Sequence, residues 1–119
     1  MSSRRAFIIH GWSGSPGEGW LPWLGRELEQ RDFSVVRPAM PSTDAPKINA
    51  WVEHLRDIVG FVDAHTYFVG HSIGCQTILR YLETLPRDSR VGGVDASYGR
   101  RHAYRAGARD CGALAHQAD

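Results

Sequence analysis

Hydrophobic and polar positions alternate in blocks along the first 94 residues of this chain, and the blocks predict strands and helices in turn. Short apolar runs predict buried strands at 5–10, 33–37, 67–69 and 90–94. Apolar residues three or four positions apart predict helices at 20–30, 48–62 and 73–85. The resulting order is β-α-β-α-β-α-β. Such alternation is typical of an α/β fold in three layers, with helices on both faces of a mainly parallel sheet.

The alternation ends near Val94. Residues 95–119 contain one leucine and no isoleucine, valine, phenylalanine, tryptophan or methionine. We therefore expect 1–94 to be the N-terminal part of a domain and 95–119 to be a polar tail, disordered or loosely attached. The change falls inside a predicted strand, where domain boundaries are rare, so a frameshift or a truncation is the favoured explanation. A genuine polar tail is the alternative.

The segment Gly70-His71-Ser72-Ile73-Gly74 lies between the third predicted strand and the third predicted helix. Gly-x-Ser-x-Gly in this position is the pattern of a nucleophile elbow, a sharp turn that raises a serine hydroxyl above the sheet. The two glycines are expected to allow close packing of strand and helix. The alternative interpretation is a glycine-rich turn that performs no chemistry.

The elbow predicts Ser72 as a nucleophile. An oxyanion hole would take one donor from the backbone N–H of Ile73, the residue after the nucleophile. A second donor is expected from the loop after the first strand, around Gly11 and Trp12, because the carboxyl ends of parallel strands lie together. Glycine in that loop would let the backbone approach a substrate closely.

A serine nucleophile needs a base within hydrogen-bond reach. His71 is expected to point away from the Ser72 hydroxyl and to be hydrogen-bonded beneath the turn, whereas His10 is expected to brace the oxyanion loop. In this fold the catalytic acid comes after the nucleophile along the chain, and the histidine base comes after the acid. Asp95 or Asp110 with His116 has that order, but no predicted strand would hold either pair in place.

The other candidate residues have structural interpretations. Cys75 is expected to be a small buried packing residue. Trp20, Trp23 and Trp51 are predicted in the core, and Trp12 is predicted to border the site.

Composition excludes several classes of function. A formal net charge of +1 argues against a nucleic-acid partner. No apolar run reaches the roughly 18 residues of a membrane span, and the N-terminus has no hydrophobic signal region, which predicts a cytoplasmic protein. Two cysteines form no disulfide framework, and the six histidines show no metal-binding spacing. We expect no metal ion.

Several stretches together resemble one group of α/β-hydrolases, the small serine hydrolases of the retinoblastoma-binding-protein-9 and YdeN type. The matching pieces are Ile8-Ile9-His10-Gly11, Ser13-Gly14-Ser15-Pro16, Trp20-Leu21-Pro22-Trp23-Leu24, Val36 to Pro41, Trp51, Phe68 to Cys75 and Thr77 to Leu82. The resemblance covers about residues 5–94. It implies an α/β-hydrolase fold without its C-terminal half, a small-molecule ester or similar acyl substrate, Ser72 as nucleophile and no cofactor.

The chain departs from this family after position 94, where no segment matches the one that carries the family's acid and histidine. We therefore expect a serine hydrolase by lineage that is inactive or weakly active. The alternative is a non-catalytic remnant or a binding module that retains the hydrolase core. Half of a parallel sheet would also leave a hydrophobic edge strand exposed, which predicts self-association.

Overall fold

The computed structural model describes residues 4–12, 14–17, 19–97 and 103–106, and these ranges contain five strands and three helices. The strands are β1 (Arg4–Ile9), β2 (Phe33–Val36), β3 (Thr66–His71), β4 (Gly93–Ser97) and β5 (Ala103–Ala106). The helices are α1 (Leu21–Gln30), α2 (Ile48–Val59) and α3 (Ile73–Glu83). All seven predicted elements are present, with shifted ends. Helix α2 stops earlier than predicted because Gly60 adopts a φ of +73°, which ends the helical conformation.

The strands form one sheet in the order β2-β1-β3-β4-β5. The first four strands are parallel, and β5 pairs antiparallel with β4. The prediction of an α/β fold with a mainly parallel sheet is therefore confirmed. β1 and β3 lie at the centre, side by side, so the loops after β1 and after β3 leave the sheet at the same edge.

The main core lies between the sheet and helices α2 and α3. The inner side of α2 consists of Trp51, Val52, Leu55 and Val59, all buried, as its apolar spacing predicts. These side chains share one cluster with residues of β1, β3 and α3, including Phe7, Phe68 and Ile78. Cys75 belongs to the same cluster and has no exposed surface.

Helix α1 packs differently from its prediction. Trp20 and Trp23 were expected in the core, but they are 41% and 56% exposed. The buried positions of α1 are Leu21 and Gly25. A Cβ on Gly25 would lie 3.2 Å from Nε of Arg37, so the helix approaches β2 through its glycine. The two tryptophans lie to the side of the surface through which α1 contacts β2. Of the three tryptophans predicted in the core, only Trp51 is buried there.

The sheet continues beyond the predicted boundary at position 94. β4 runs to Ser97, and its partner β5 lies wholly within the segment predicted as a tail. The register places Val94 opposite Ala106. Residues 98–102 and 107–119 lie outside the described part of the chain. The proposed frameshift or truncation and the disordered tail remain predictions.

Candidate active site

Ser72 is the single residue between strand β3 and helix α3, and its backbone is strained. Its φ is +58° and its ψ is −123°, a region that residues with a Cβ rarely adopt. Such a conformation costs on the order of 1–3 kcal/mol and persists only where the surroundings impose it. A serine held in this way at a strand-to-helix turn is the geometry of the nucleophile elbow.

Two glycines make this turn possible. A Cβ on Gly74 would lie 2.3 Å from the carbonyl oxygen of Ile9, inside the backbone of the central strand. A Cβ on Gly70 would lie 2.8 Å from the backbone nitrogen of Cys75. The first turn of α3 therefore rests directly on β1 and β3. Both glycines of the Gly-x-Ser-x-Gly pattern are required by close approach of backbone, as the sequence predicted.

The loop after β1 lies against the elbow. A Cβ on Gly11 would be 3.0 Å from Cβ of Ser72 and 3.1 Å from the carbonyl oxygen of His71. Gly11 is buried in this contact, and the next residue, Trp12, is 61% exposed. The structure thus brings the candidate nucleophile and the candidate oxyanion loop together.

The start of α3 is suited to a negative charge. The first backbone N–H groups of a helix have no intrahelical acceptor, and the helix dipole is positive at that end. In α3 the N–H of Cys75 donates to the carbonyl oxygen of Ser72 at 2.9 Å. The N–H groups of Ile73 and Gly74 precede that bond, at the end of the helix where backbone N–H groups commonly bind anions. The role of Ile73 as an oxyanion donor remains a prediction.

The Ser72 side chain is exposed and makes no hydrogen bond to another described residue. Of the residues in the two acid–histidine pairs considered above, Asp95 alone is among the described residues, on β4 in register with Val69 of β3. His102, Asp110 and His116 lie outside the described residues. Within the described part of the chain, no imidazole is bonded to the Ser72 hydroxyl.

His71 differs from its prediction. It was expected to be hydrogen-bonded beneath the turn, but its side chain is exposed and contacts Trp20 edge-on, with ring centroids 5.8 Å apart. His71 ends β3 at a position that alternates with the buried Gly70, so it faces the α1 side of the sheet. This contact was not predicted from the sequence, since Trp20 was expected in the core and not beside the end of β3.

His10 is buried and links two loops. Its Nδ1 lies 3.0 Å from the carbonyl oxygen of Gly11, and its Nε2 lies 3.1 Å from the backbone nitrogen of Met40. Trp51 packs edge-on against the ring with centroids 5.5 Å apart, and its indole N–H donates to the carbonyl oxygen of Pro41 at 2.6 Å. Sequence reasoning missed the Met40–Pro41 loop as part of this site, because neither residue has a side chain that suggests chemistry.

A separate apolar groove of about 430 Å³ lies on the α1 side of the sheet. Its lining includes Leu28, Phe33, Tyr67 and Val69 but not Ser72. The groove is therefore not the site of the proposed chemistry.

Comparison with known proteins agrees with this geometry. Residues 6–95 match the family described as serine hydrolase, which is more than half of the chain. The chain belongs to the serine hydrolase family. The chain is 33% identical over 92 residues to the putative hydrolase YdeN of Bacillus subtilis (strain 168). The aligned part is 77% of this chain and 48% of that relative.

The crystal structure of the YdeN gene product from B. subtilis is similar to this chain, with a TM-score of 0.74 and 32% identity. The match covers 79% of this chain and 50% of the solved one. The resemblance stated from the sequence is therefore confirmed, and so is the α/β-hydrolase-like fold. The chain spans about half the length of the relative it matches.

Membrane-spanning helices and metal-binding clusters are absent from the described residues. None of their helices has the length and apolar character needed to cross a bilayer. Nor do their histidine, cysteine, aspartate and glutamate side chains form a cluster of three that would hold a metal ion.

Proposed function

We propose that Ser72 is the nucleophile of a site for hydrolysing esters or similar acyl substrates. The observation that carries this proposal is the strained backbone of Ser72, whose φ is +58° at the start of α3. A protein keeps a strained conformation at a functional position when the surrounding packing over-determines it. Here that packing is supplied by Gly70, Gly74 and Gly11, each in close contact with neighbouring backbone.

In the proposed reaction, Oγ of Ser72 attacks the carbonyl carbon of a small-molecule acyl substrate. The carbonyl oxygen becomes negatively charged and accepts hydrogen bonds from the N–H of Ile73 and from the Gly11–Trp12 loop. The hydroxyl proton passes to a base, which returns it to the leaving oxygen, so that the alcohol departs as the acyl-enzyme forms. Water then attacks the acyl-enzyme, the bond to Oγ breaks, the carboxylic acid leaves and Oγ of Ser72 regains its proton. No cofactor takes part in these steps.

We further propose that the 119-residue chain performs this reaction weakly or not at all. The described residues place no base on the Ser72 hydroxyl, and loss of the base costs several orders of magnitude in rate. The second candidate function is a non-catalytic remnant or binding module that keeps the hydrolase core. The same unpartnered hydroxyl within the described residues favours it.

A fluorophosphonate probe tests both proposals, since it reacts with serines that a triad activates. We expect the chain to be labelled slowly, at a rate close to that of Ser72→Ala. Labelling would be followed by intact-protein mass spectrometry, with YdeN as the positive control. Rapid labelling that Ser72→Ala abolishes would refute the proposed impairment and establish the nucleophile. Rapid labelling that persists in Ser72→Ala would refute the role of Ser72.

We retain a small-molecule substrate without a nucleic-acid partner, a location in the cytoplasm and self-association as proposals. For self-association, an exposed hydrophobic edge strand was expected, and β4 is not such an edge because β5 pairs with it. The other edge is β2, whose outer backbone groups are unpaired within the described sheet. We expect the sedimentation coefficient to rise with protein concentration. A constant monomeric value would contradict self-association.

A further inference from the structure

We propose that His10 is a positioning residue whose fixed tautomer links the loop between β2 and α2 to the peptide between Gly11 and Trp12 and sets the orientation of that peptide beside Ser72. This inference rests on the proposed function for its purpose, although its geometry stands independently. His10 is 1% exposed and is not used as a base in the proposed reaction. A buried imidazole with two backbone partners has a defined protonation pattern, which can be worked out from those partners.

The backbone of Met40 fixes the tautomer. A backbone N–H can only donate, so Nε2 of His10, at 3.1 Å, must be the nitrogen without a proton. The proton of the neutral ring is then on Nδ1. That Nδ1–H donates to the carbonyl oxygen of Gly11 at 3.0 Å. Protonation of Nε2 or exchange of the two tautomers would remove the Met40 bond.

The carbonyl of Gly11 is held by two donors. The second is the N–H of Gly14, at 3.0 Å. A trans peptide is planar, and its C=O and N–H point in opposite directions. Fixing the Gly11 carbonyl toward His10 and Gly14 therefore fixes the Trp12 N–H on the opposite side of the same peptide. The loop could offer the backbone N–H of Gly11 or that of Trp12 as a donor. The hydrogen bonds to the Gly11 carbonyl determine the direction of the Trp12 N–H.

The ring itself is held from outside the oxyanion loop. Met40 holds one edge, and Trp51 packs against the ring. Trp51 in turn donates to Pro41 at 2.6 Å. The orientation of the oxyanion loop therefore depends on the loop between β2 and α2, through His10.

The first test measures the tautomer in the unmodified chain. Long-range ¹H–¹⁵N correlation of ¹⁵N-labelled protein distinguishes protonated from unprotonated ring nitrogens. We expect His10 to show a protonated Nδ1 and an unprotonated Nε2. A protonated Nε2, or a ring that averages between both forms, would overturn the proposal. This measurement needs no variant, so a folding defect cannot obscure it.

The second test separates the two hydrogen bonds with a crossed pair of variants. His10→Gln places an acceptor near the Nε2 position but removes the Nδ1 donor. His10→Asn places a donor near the Nδ1 position but removes the Nε2 acceptor. Amide hydrogen exchange at Met40 reports the first bond, and exchange at Gly14, which binds the same carbonyl as His10, reports the second.

We expect His10→Gln to raise the exchange rate at Gly14 by roughly tenfold and to leave Met40 protected, with the reverse pattern in His10→Asn. A residue that only fills space would affect both amides equally in both variants, and that outcome would overturn the proposal. His54→Phe is the matched control. His54 Nε2 lies 3.0 Å from the carbonyl oxygen of Ala39, in the same loop, but no contact joins His54 to Gly11.

The two proposals fail in different ways. The tautomer and the exchange rates do not depend on hydrolysis, so a crossed exchange pattern without any reactivity at Ser72 would reject the proposed function alone. Reactivity at Ser72 with a freely averaging His10 would reject the positioning role alone.

Discussion

Gly74→Ala is expected to abolish the folded state, or to leave it too unstable to accumulate. The added Cβ would lie 2.3 Å from the carbonyl oxygen of Ile9 and 2.8 Å from that of His10. Both oxygens belong to the backbone at the end of β1, where Ile9 pairs with Gly70 of β3, so the sheet opposes a shift of this backbone away from α3. Overpacking a core commonly costs about 1–3 kcal/mol when side chains can adjust. Here no side chain can adjust, so we expect the free energy of unfolding to fall by more than about 3 kcal/mol.

Urea unfolding followed by circular dichroism measures this effect. Gly17→Ala is the matched control, because a Cβ there would meet no atom within 4 Å. The control should stay within about 0.5 kcal/mol of the unmodified chain. A Gly74→Ala midpoint equal to that of Gly17→Ala would show that α3 does not rest on β1 as described.

The sequence predicted the elements of this fold well where apolar spacing coincides with burial. Helix α2 is the clearest case, because Trp51, Val52, Leu55 and Val59 form both its apolar stripe and its buried face. In α1 the two do not coincide. The stripe contained Trp20 and Trp23, but the helix meets the sheet through Leu21 and Gly25. The predicted apolar stripe was based on bulky side chains and took no account of glycine. It therefore indicated the wrong face of α1 as the one that packs against the sheet.

The candidate site divides in a similar way. The strained turn at Ser72 could be expected because its two glycines and its serine lie within five residues, and local sequence determines a tight turn. The approach of Gly11 to Ser72 followed from the order of parallel strands. The exposed position of His71 against Trp20 depended on where α1 begins relative to β3. No pattern within either segment contains that information.

The largest change in activity is expected when residues 1–94 are joined to the part of YdeN that lies beyond the aligned region. We expect a chimera of residues 1–94 with the YdeN segment that follows the aligned region to react with a fluorophosphonate at least about 10³-fold faster than the 119-residue chain. The physical reason is the base. In the proposed site, the start of α3 and the Gly11–Trp12 loop already lie against Ser72, and the added segment would supply the base that activates its hydroxyl.

The chimera requires two controls. Ser72→Ala in the same chimera should return the labelling rate to background, which assigns the reactivity to this serine. The YdeN segment expressed alone should not be labelled. A chimera that unfolds cooperatively and sediments as one compact species, yet is labelled no faster than the 119-residue chain, would contradict the argument. The strained conformation of Ser72 would then be a feature that the chain shares with its family but does not use in catalysis. The core of this chain would serve a non-catalytic purpose.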